Sequence, residues 1–334
     1  MKGKKILVLG GTGAMGVYLV PELASMGYRV DVVSLDKVES ENPQITYIQA
    51  NAKDDVYLQE LVKNKYEAIV DFLIYSTKEF TARYKMMLSN TNHYVFFSSY
   101  RVYADSPIIT ESSPRLLDVS KDKTFLEAEE FEYSLYKARQ EDVLRGSSFD
   151  NWTIVRPAIT YSKRRFQLVT LEAHVFVYRA LNNFPVALPK EALSIQGTMS
   201  WGGDVAKMLA RLILNPVSLK ETYTVSTSEH KSWKEIADYY KEIIGLEYIV
   251  VDTEEYLSCF SKGKIDWPRY QLKYDRCFNR VVDNAKVLAA TGLKQSDFIT
   301  LKQGLMKELS ALPKNTTWYE TDVNVRMDEL LKKY

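Results

Sequence analysis

Short apolar, β-branched runs recur through the first half of the chain, separated by stretches with helical periodicity. "KKILVLG", "RVDVVSL", "ITYIQAN", "AIVDFLIY", "HYVFFSS" and "WTIVRPA" read as strands, with "AMGVYLVPELASMG" and "DDVYLQELVKN" as helices between them. Strands that are apolar on both faces must be covered on both faces. The pattern therefore predicts an α/β fold, an open parallel sheet with helices on each side. The later part is less regular. "GGDVAKMLARLILN", "SWKEIADYYKEIIG", "DNAKVLAATG" and "TDVNVRMDELLKKY" predict helices of an α+β portion. It should sit over the carboxyl edge of the sheet, where ligands bind in open α/β folds.

The loop "GGTGAMG" directly follows the first strand and opens the first helix. It spaces Gly10, Gly13 and Gly16 as G-x-x-G-x-x-G. Glycine lets the backbone turn sharply and approach a pyrophosphate, whose charge then sits at a helix N-terminus. Gly10, Gly13, Ala14, Met15 and Gly16 are thus candidate dinucleotide contacts. The end of the second strand should read the adenosine ribose, and it falls at Ser34, with Asp36 and Lys37 just beyond. An acid there favours the 2′-hydroxyl of NAD and a base the 2′-phosphate of NADP. NAD is the expected cofactor and NADP the alternative. Asn51, at the next strand end, is placed to touch the adenine edge.

The strand in "HYVFFSSYRVYAD" ends in two hydroxyls, Ser98 and Ser99, followed by Tyr100 and Arg101. Downstream, "EYSLYKARQ" contains the only Y-x-x-x-K among 23 tyrosines. Tyr133 and Lys137 are four apart and share a helix face. Tyr136 lies about 100° round the helix and is expected to pack instead. A tyrosine titrates near 10, and an adjacent ammonium favours its phenolate. Tyr133 is therefore the candidate general acid/base, Lys137 its electrostatic partner, and Ser99 the hydroxyl that polarises a substrate carbonyl.

Other functions find less support. Net charge is +1, so no broad electrostatic attraction to nucleic acid or anionic membrane is implied. Two basic stretches interleave with aromatics, "YSKRRF" (Lys163, Arg164, Arg165) and "KGKIDWPRYQLKYDR". They leave single-strand RNA as an alternative partner, although nucleic acid is not the expected one. Arg164 and Arg165 equally suit a phosphate or carboxylate of a small substrate. Cys259 and Cys277 lack ligand spacing, and His93, His174 and His230 lie far apart, so no metal is expected. No segment approaches 18 apolar residues, and the basic, briefly apolar N-terminus lacks a cleavage site. A cytoplasmic protein is expected.

These motifs together resemble the extended or atypical short-chain dehydrogenase/reductases, the NAD-dependent epimerase/dehydratase group. "GGTGAMG" is similar to that family's cofactor loop. "FFSSYRVYA" resembles its F-x-S-S-x-x-V-Y-G strand end, and "YSLYK" its Y-x-x-x-K. "TIVRPAITY" is similar to the strand after its catalytic helix, where the loop past Pro157 meets nicotinamide and substrate. The resemblance implies a Rossmann-type doubly wound parallel sheet at residues 1–165, rejoined by part of 197–227. A smaller α+β substrate domain is implied at 166–196 and 228–334. It further implies transient hydride transfer on a sugar or nucleotide-sugar-like substrate, with a dimer as the assembly. Ser34 replaces an acid of the family pattern, and Gly197 stands where an arginine would grip a nucleotide-sugar diphosphate. The short segment before "HYVFFSS" is similar to the chloroplast stem-loop binding protein branch, whose members associate with RNA. A dinucleotide-binding sensor or scaffold without catalysis is the further alternative.

Overall fold

A computed structural model describes residues 3–260, 267–313, 316 and 321–334. Its centre is a seven-stranded sheet in which every neighbouring pair is parallel. The strands are β1 (Lys5–Leu9), β2 (Arg29–Ser34), β3 (Ile45–Gln49), β4 (Tyr66–Asp71), β5 (Thr91–Phe97), β6 (Trp152–Pro157) and β7 (Glu221–Val225). Their spatial order is 7-6-5-4-1-2-3. The order reverses between β1 and β4, and a crevice opens above the carboxyl ends of strands at such a switch point. Crossover helices carry the chain between the parallel strands. They are α1 (Gly16–Ser25), α2 (Asp55–Val62), α3 (Thr77–Ser89) and α4 (Tyr133–Arg145).

The apolar strands are apolar because alternate residues enter different cores. In β1, Ile6 and Val8 pack with Leu19 and Leu23 of α1, and with Leu209 of a later helix, α5 (Gly202–Leu212). Leu7 and Leu9 point the other way, towards Leu58 of α2, Phe80 of α3 and Leu144 of α4. A two-residue period seen by two hydrophobic layers reads in sequence as an unbroken apolar run. A third core lies over the carboxyl edge. It contains Tyr103, Phe176, Trp233, Tyr240, Tyr256 and Leu305. α5 also steadies the glycine loop from outside. A Cβ on Gly202 would meet the Ala14 carbonyl oxygen and the Tyr18 ring, each at 2.9 Å, so only glycine allows this approach.

His93 does structural work inside the sheet. Its Nδ1 accepts from the Leu214 amide at 2.8 Å, which leaves Nε2 to carry the proton towards Thr153 Oγ1 at 2.7 Å. Thr153 in turn donates to the Ser218 carbonyl at 2.5 Å. The imidazole thus ties β5 to β6 and to the segment entering β7. Burial pushes its pKa from 6.5 down to about 4. Between those values the unfolded chain binds the proton and the folded one does not, so stability falls as pH drops through this window. The full span is worth roughly 3 kcal/mol. We expect the denaturant midpoint to fall markedly between pH 7 and pH 4.5, with a shallower fall in His93→Gln. Equal slopes in the two proteins would refute this role.

Candidate cofactor cleft and catalytic site

The glycine loop sits at the switch point, and its glycines are needed for different reasons. Gly10 has φ +74° and donates its amide to the Val33 carbonyl at 2.8 Å. A Cβ at Gly11 would lie 2.7 Å from Val32 and 2.8 Å from Val8, and one at Gly16 2.3 Å from the Gly11 carbonyl oxygen. These positions serve the turn itself. Gly13 differs: it is exposed, and its nearest obstacle would be the Gly10 carbonyl oxygen at 3.8 Å. No protein atom forbids a side chain there, whereas close approach of a ligand would. The start of α1 carries no side-chain cap, although α2, α3 and α4 are capped by Asp54, Ser76 and Glu132. The Val17 and Tyr18 amides donate to the Gly13 and Met15 carbonyls, so the amides that could meet an anion are those of the loop leading into the helix. Loop and helix end therefore fit a pyrophosphate.

Beyond the loop lies a cavity of about 330 Å³ lined by Gly10, Ser34, Asp36, Asn51, Lys53 and Leu73 among others. The Ser34 hydroxyl pairs with Thr12 Oγ1 at 2.8 Å and accepts from the Asp36 amide at 3.1 Å. It closes the turn after β2, and Asp36 in that turn lines the cavity. Asn51 Oδ1 accepts from the Lys53 amide at 3.0 Å, which fixes the turn after β3. Lys37 is exposed and outside this lining. The base that does reach the cavity is Lys53, whose ammonium lies 3.4 Å from Glu79.

On the other side of the loop, a smaller cavity of about 180 Å³ gathers Ala14, Met15, Ser98, Ser99, Tyr133, Lys137 and Pro157. Residues far apart in sequence meet here because β1, β5 and β6 all end at this edge and α4 crosses beneath. Lys137 is buried and donates to the Phe97 carbonyl at 2.7 Å, with its ammonium 5.9 Å from the centre of the Tyr133 ring. Burial lowers its pKa to about 8, against the opposing pull of Asp71 and Glu141. Burial also raises the Tyr133 phenol above its ordinary value. Arg101, Arg165 and the Ser99 hydroxyl pull it back. The cations acting on the phenol are thus the two arginines, while the Lys137 ammonium is turned to the strand. Tyr136 packs edge-on against Tyr133 at 5.5 Å.

A third cavity of about 450 Å³ continues from the second through Ile74, Ser99, Tyr133, Ala158 and Arg165. Tyr100, Arg101 and Arg276 form its far wall. Arg164 is exposed and lines neither cavity. A wider cavity of about 620 Å³ beside β7 holds none of the residues singled out from sequence. Its Lys286 is paired with Glu221 at 2.7 Å.

Several supporting residues escaped the sequence reading. Glu141 is one turn beyond Lys137 on the same face of α4. It is buried against Arg156, with contacts of 2.8 and 2.6 Å, and also meets Arg115 at 3.3 Å and Arg145 at 3.2 Å. Burial would raise its pKa, but Arg156 and Arg145 bring it down to about 2. Asp71, at the end of β4, is buried and accepts from Tyr94 at 2.8 Å and Tyr75 at 3.4 Å. Burial raises its pKa, with Tyr94 and Lys137 among the opposing groups. The basic, aromatic-rich stretch proves largely committed to the protein. Arg269 pairs with Glu254, Lys273 with Asp122 at 3.1 Å, and Arg276 is buried. Lys262 and Lys264 lie outside the described residues. Among the described residues, no cluster of three or more His, Cys, Asp or Glu side chains could hold a metal, and no helix is long and apolar enough to cross a membrane.

Residues 10–177 match the family model described as NAD(P)H-binding. The chain belongs to that family. Its fold is shared by solved epimerases. The UDP-glucose 4-epimerase of Thermus thermophilus, solved with NAD, is 18% identical with a TM-score of 0.66. The match covers 93% of this chain and 100% of the epimerase. The UDP-glucuronic acid 4-epimerase of Bacillus cereus, solved with UDP-glucuronic acid and NAD, is 13% identical with a TM-score of 0.67, over 92% and 98%. An epimerase of Methanothermobacter thermautotrophicus is 15% identical with a TM-score of 0.67, over 99% and 95%. A comparison with curated proteins found no match. The fold implied by the sequence resemblance, a parallel Rossmann-type sheet, is therefore the fold observed.

The Glu141 cluster yields a stability prediction. Glu141→Gln leaves three guanidinium groups without their shared carboxylate, a loss expected to cost about 3–5 kcal/mol. Chemical denaturation at pH 7 reads it directly. A change below about 1 kcal/mol would mean that solvent or rearrangement compensates the buried charge.

Proposed function

We propose that this protein is an NAD(P)-dependent enzyme of the epimerase, dehydratase or reductase type, acting on a sugar-like substrate with Tyr133 as general acid/base. One observation carries the reading. Ser99, Tyr133 and Lys137 line one cavity beside the glycine loop, and Ser99 and Tyr133 also line the adjoining cavity of about 450 Å³, large enough for a small substrate. The glycine loop and the uncapped end of α1 would hold the pyrophosphate, Asp36 and Asn51 the adenosine, and Lys137 the nicotinamide ribose. When bound, the nicotinamide ring supplies a place where hydride is taken up and returned.

The protein's own part is proton handling and positioning. With its pKa raised by burial, the Tyr133 phenol is protonated at neutral pH, the form that donates to a carbonyl oxygen. In the opposite direction Tyr133 takes the proton of a substrate hydroxyl, assisted by the cations that favour phenolate. Ser99 stands where it can hydrogen-bond the same oxygen. Phe72, Ile74 and Phe97 give the smaller cavity an apolar side against which a nicotinamide ring could rest.

Tyr133→Phe should reduce turnover by about 10²–10⁴-fold while leaving dinucleotide affinity nearly intact. Turnover near the wild-type rate would sink the assignment. For the cofactor, the NAD held by two of the similar epimerases and the placement of Asp36 favour NAD over NADP. Asp36→Ala should shift the NAD/NADP affinity ratio towards NADP by about tenfold in a fluorescence titration. An unchanged ratio would assign the preference elsewhere.

A further inference from the structure

The wall of the substrate cavity is rich in guanidinium groups. Arg101, Arg165 and Arg276 line it, with Glu172 as the acid among the lining residues. Behind the wall, Arg280 joins the cluster, and the buried acids Glu132 and Asp275 bracket it. These acids are engaged. Glu132 accepts from the Ser134 amide and hydroxyl at 3.2 and 3.0 Å and from Arg101 at 3.0 Å. Asp275 accepts from Arg280 at 3.0 Å and is paired with Arg276. Arg276 further donates to the Val169 carbonyl at 2.7 Å and to Gln167 at 3.1 Å. Two arginines are thereby held rigidly at the wall. The third, Arg165, reaches Glu172 at 3.4 Å and is half exposed.

One orphaned donor belongs to this arrangement. Tyr100 lines the cavity, and its buried hydroxyl has no hydrogen-bond partner, whereas Arg101 Nε lies 3.7 Å from the Asp275 carboxylate. Burial holds the Tyr100 phenol above its ordinary value and hence protonated, a donor without an acceptor. A buried donor left unmade costs about 1–3 kcal/mol, so a site that keeps one is a site awaiting an acceptor. With Arg280 counted, four guanidinium groups meet three carboxylates, and one positive charge is left over.

We propose that this wall binds a compact oxyanion, a carboxylate or a phosphate ester, carried by the substrate close to its reacting carbon. The inference rests on the reading of Tyr133 as the proton-transfer residue. Proximity follows from the arginines themselves. The Arg101 guanidinium lies 5.3 Å from the centre of the Tyr133 ring, and both Arg101 and Arg165 act on its phenol. A group held by them sits within a few bonds of the oxygen that Tyr133 serves. The chemistry recognised is that of a sugar unit bearing a carboxylate or a phosphate ester. Planar guanidinium forks suit either oxyanion.

Calorimetric titration of the NAD-saturated protein with glucuronate, glucose 6-phosphate and glucose, at constant ionic strength, tests this. At least one of the two anions should bind about tenfold tighter than glucose, and whichever is favoured identifies the oxyanion. Arg165→Gln, on a half-exposed side chain that can change without unfolding the protein, should bring the anion down to the affinity of glucose. Tyr100→Phe should weaken the anion several-fold and leave glucose unchanged. Arg164→Gln, on the neighbouring exposed arginine, should alter neither. Glucose binding as tightly as both anions, absence of binding by both anions, or equal weakening of all three by Arg165→Gln would overturn the proposal. The failure of the catalytic reading is separately visible. Tyr133→Phe should retain the anion preference in full, so preference without a Tyr133-dependent reaction would refute the catalytic role and leave the oxyanion wall standing.

Discussion

The buried contact of Glu141 with Arg156 fixes the position of α4 against β6, and the candidate site depends on that position. Glu141, Lys137 and Tyr133 follow one another at successive turns of the same helix face. A shift of α4 along its axis would move all three together. With Glu141 locked to a strand at two points, Lys137 falls opposite the end of β5 and Tyr133 reaches the lip of the cleft. Such a pair is costly to desolvate and contributes little net stability compared with an apolar contact. Its value here lies in register: it admits one placement of the helix, where a hydrophobic seam would tolerate several.

Much of this architecture was legible in the sequence because the decisive signals are local. The apolar runs specified the parallel sheet, since burial on both faces leaves a pattern that needs no tertiary knowledge. The glycine spacing, the paired serines and the four-residue step from Tyr133 to Lys137 are each contained in one turn or one helix. Neighbouring charges were harder to assign. Asp36 and Lys37, or Arg164 and Arg165, are adjacent in sequence, yet a loop turns only one of each pair into a cavity. That direction is decided by the fold around the loop. Lys53, Asp71 and Glu141 carry no sequence signal for the same reason, because each acquires meaning through a partner from a distant element.

Arg276 shows how composition misleads. Its stretch reads as basic and aromatic, a pattern shared by nucleic-acid surfaces and by solvated loops. In the fold, residues Leu272–Arg276 form a π-helical turn, a local widening that often marks functional positions. The turn buries Asp275 and Arg276 side by side and faces the latter to the cavity. Nothing in hydrophobic periodicity announces such a turn, since it departs from the 3.6-residue repeat that periodicity detects.

The bare start of α1 has a consequence for the protein in its cellular setting. A loop shaped to a ligand is a loop whose last increment of order comes from outside the chain. Its stability therefore tracks the supply of dinucleotide by mass action, rising by RT ln(1 + [L]/Kd). A drop in that supply lowers the stability of the fold by the same relation. When the dinucleotide is depleted, the loop at residues 10–16 should be the first part of the sheet edge to open, exposing the cleft to proteases before the core yields.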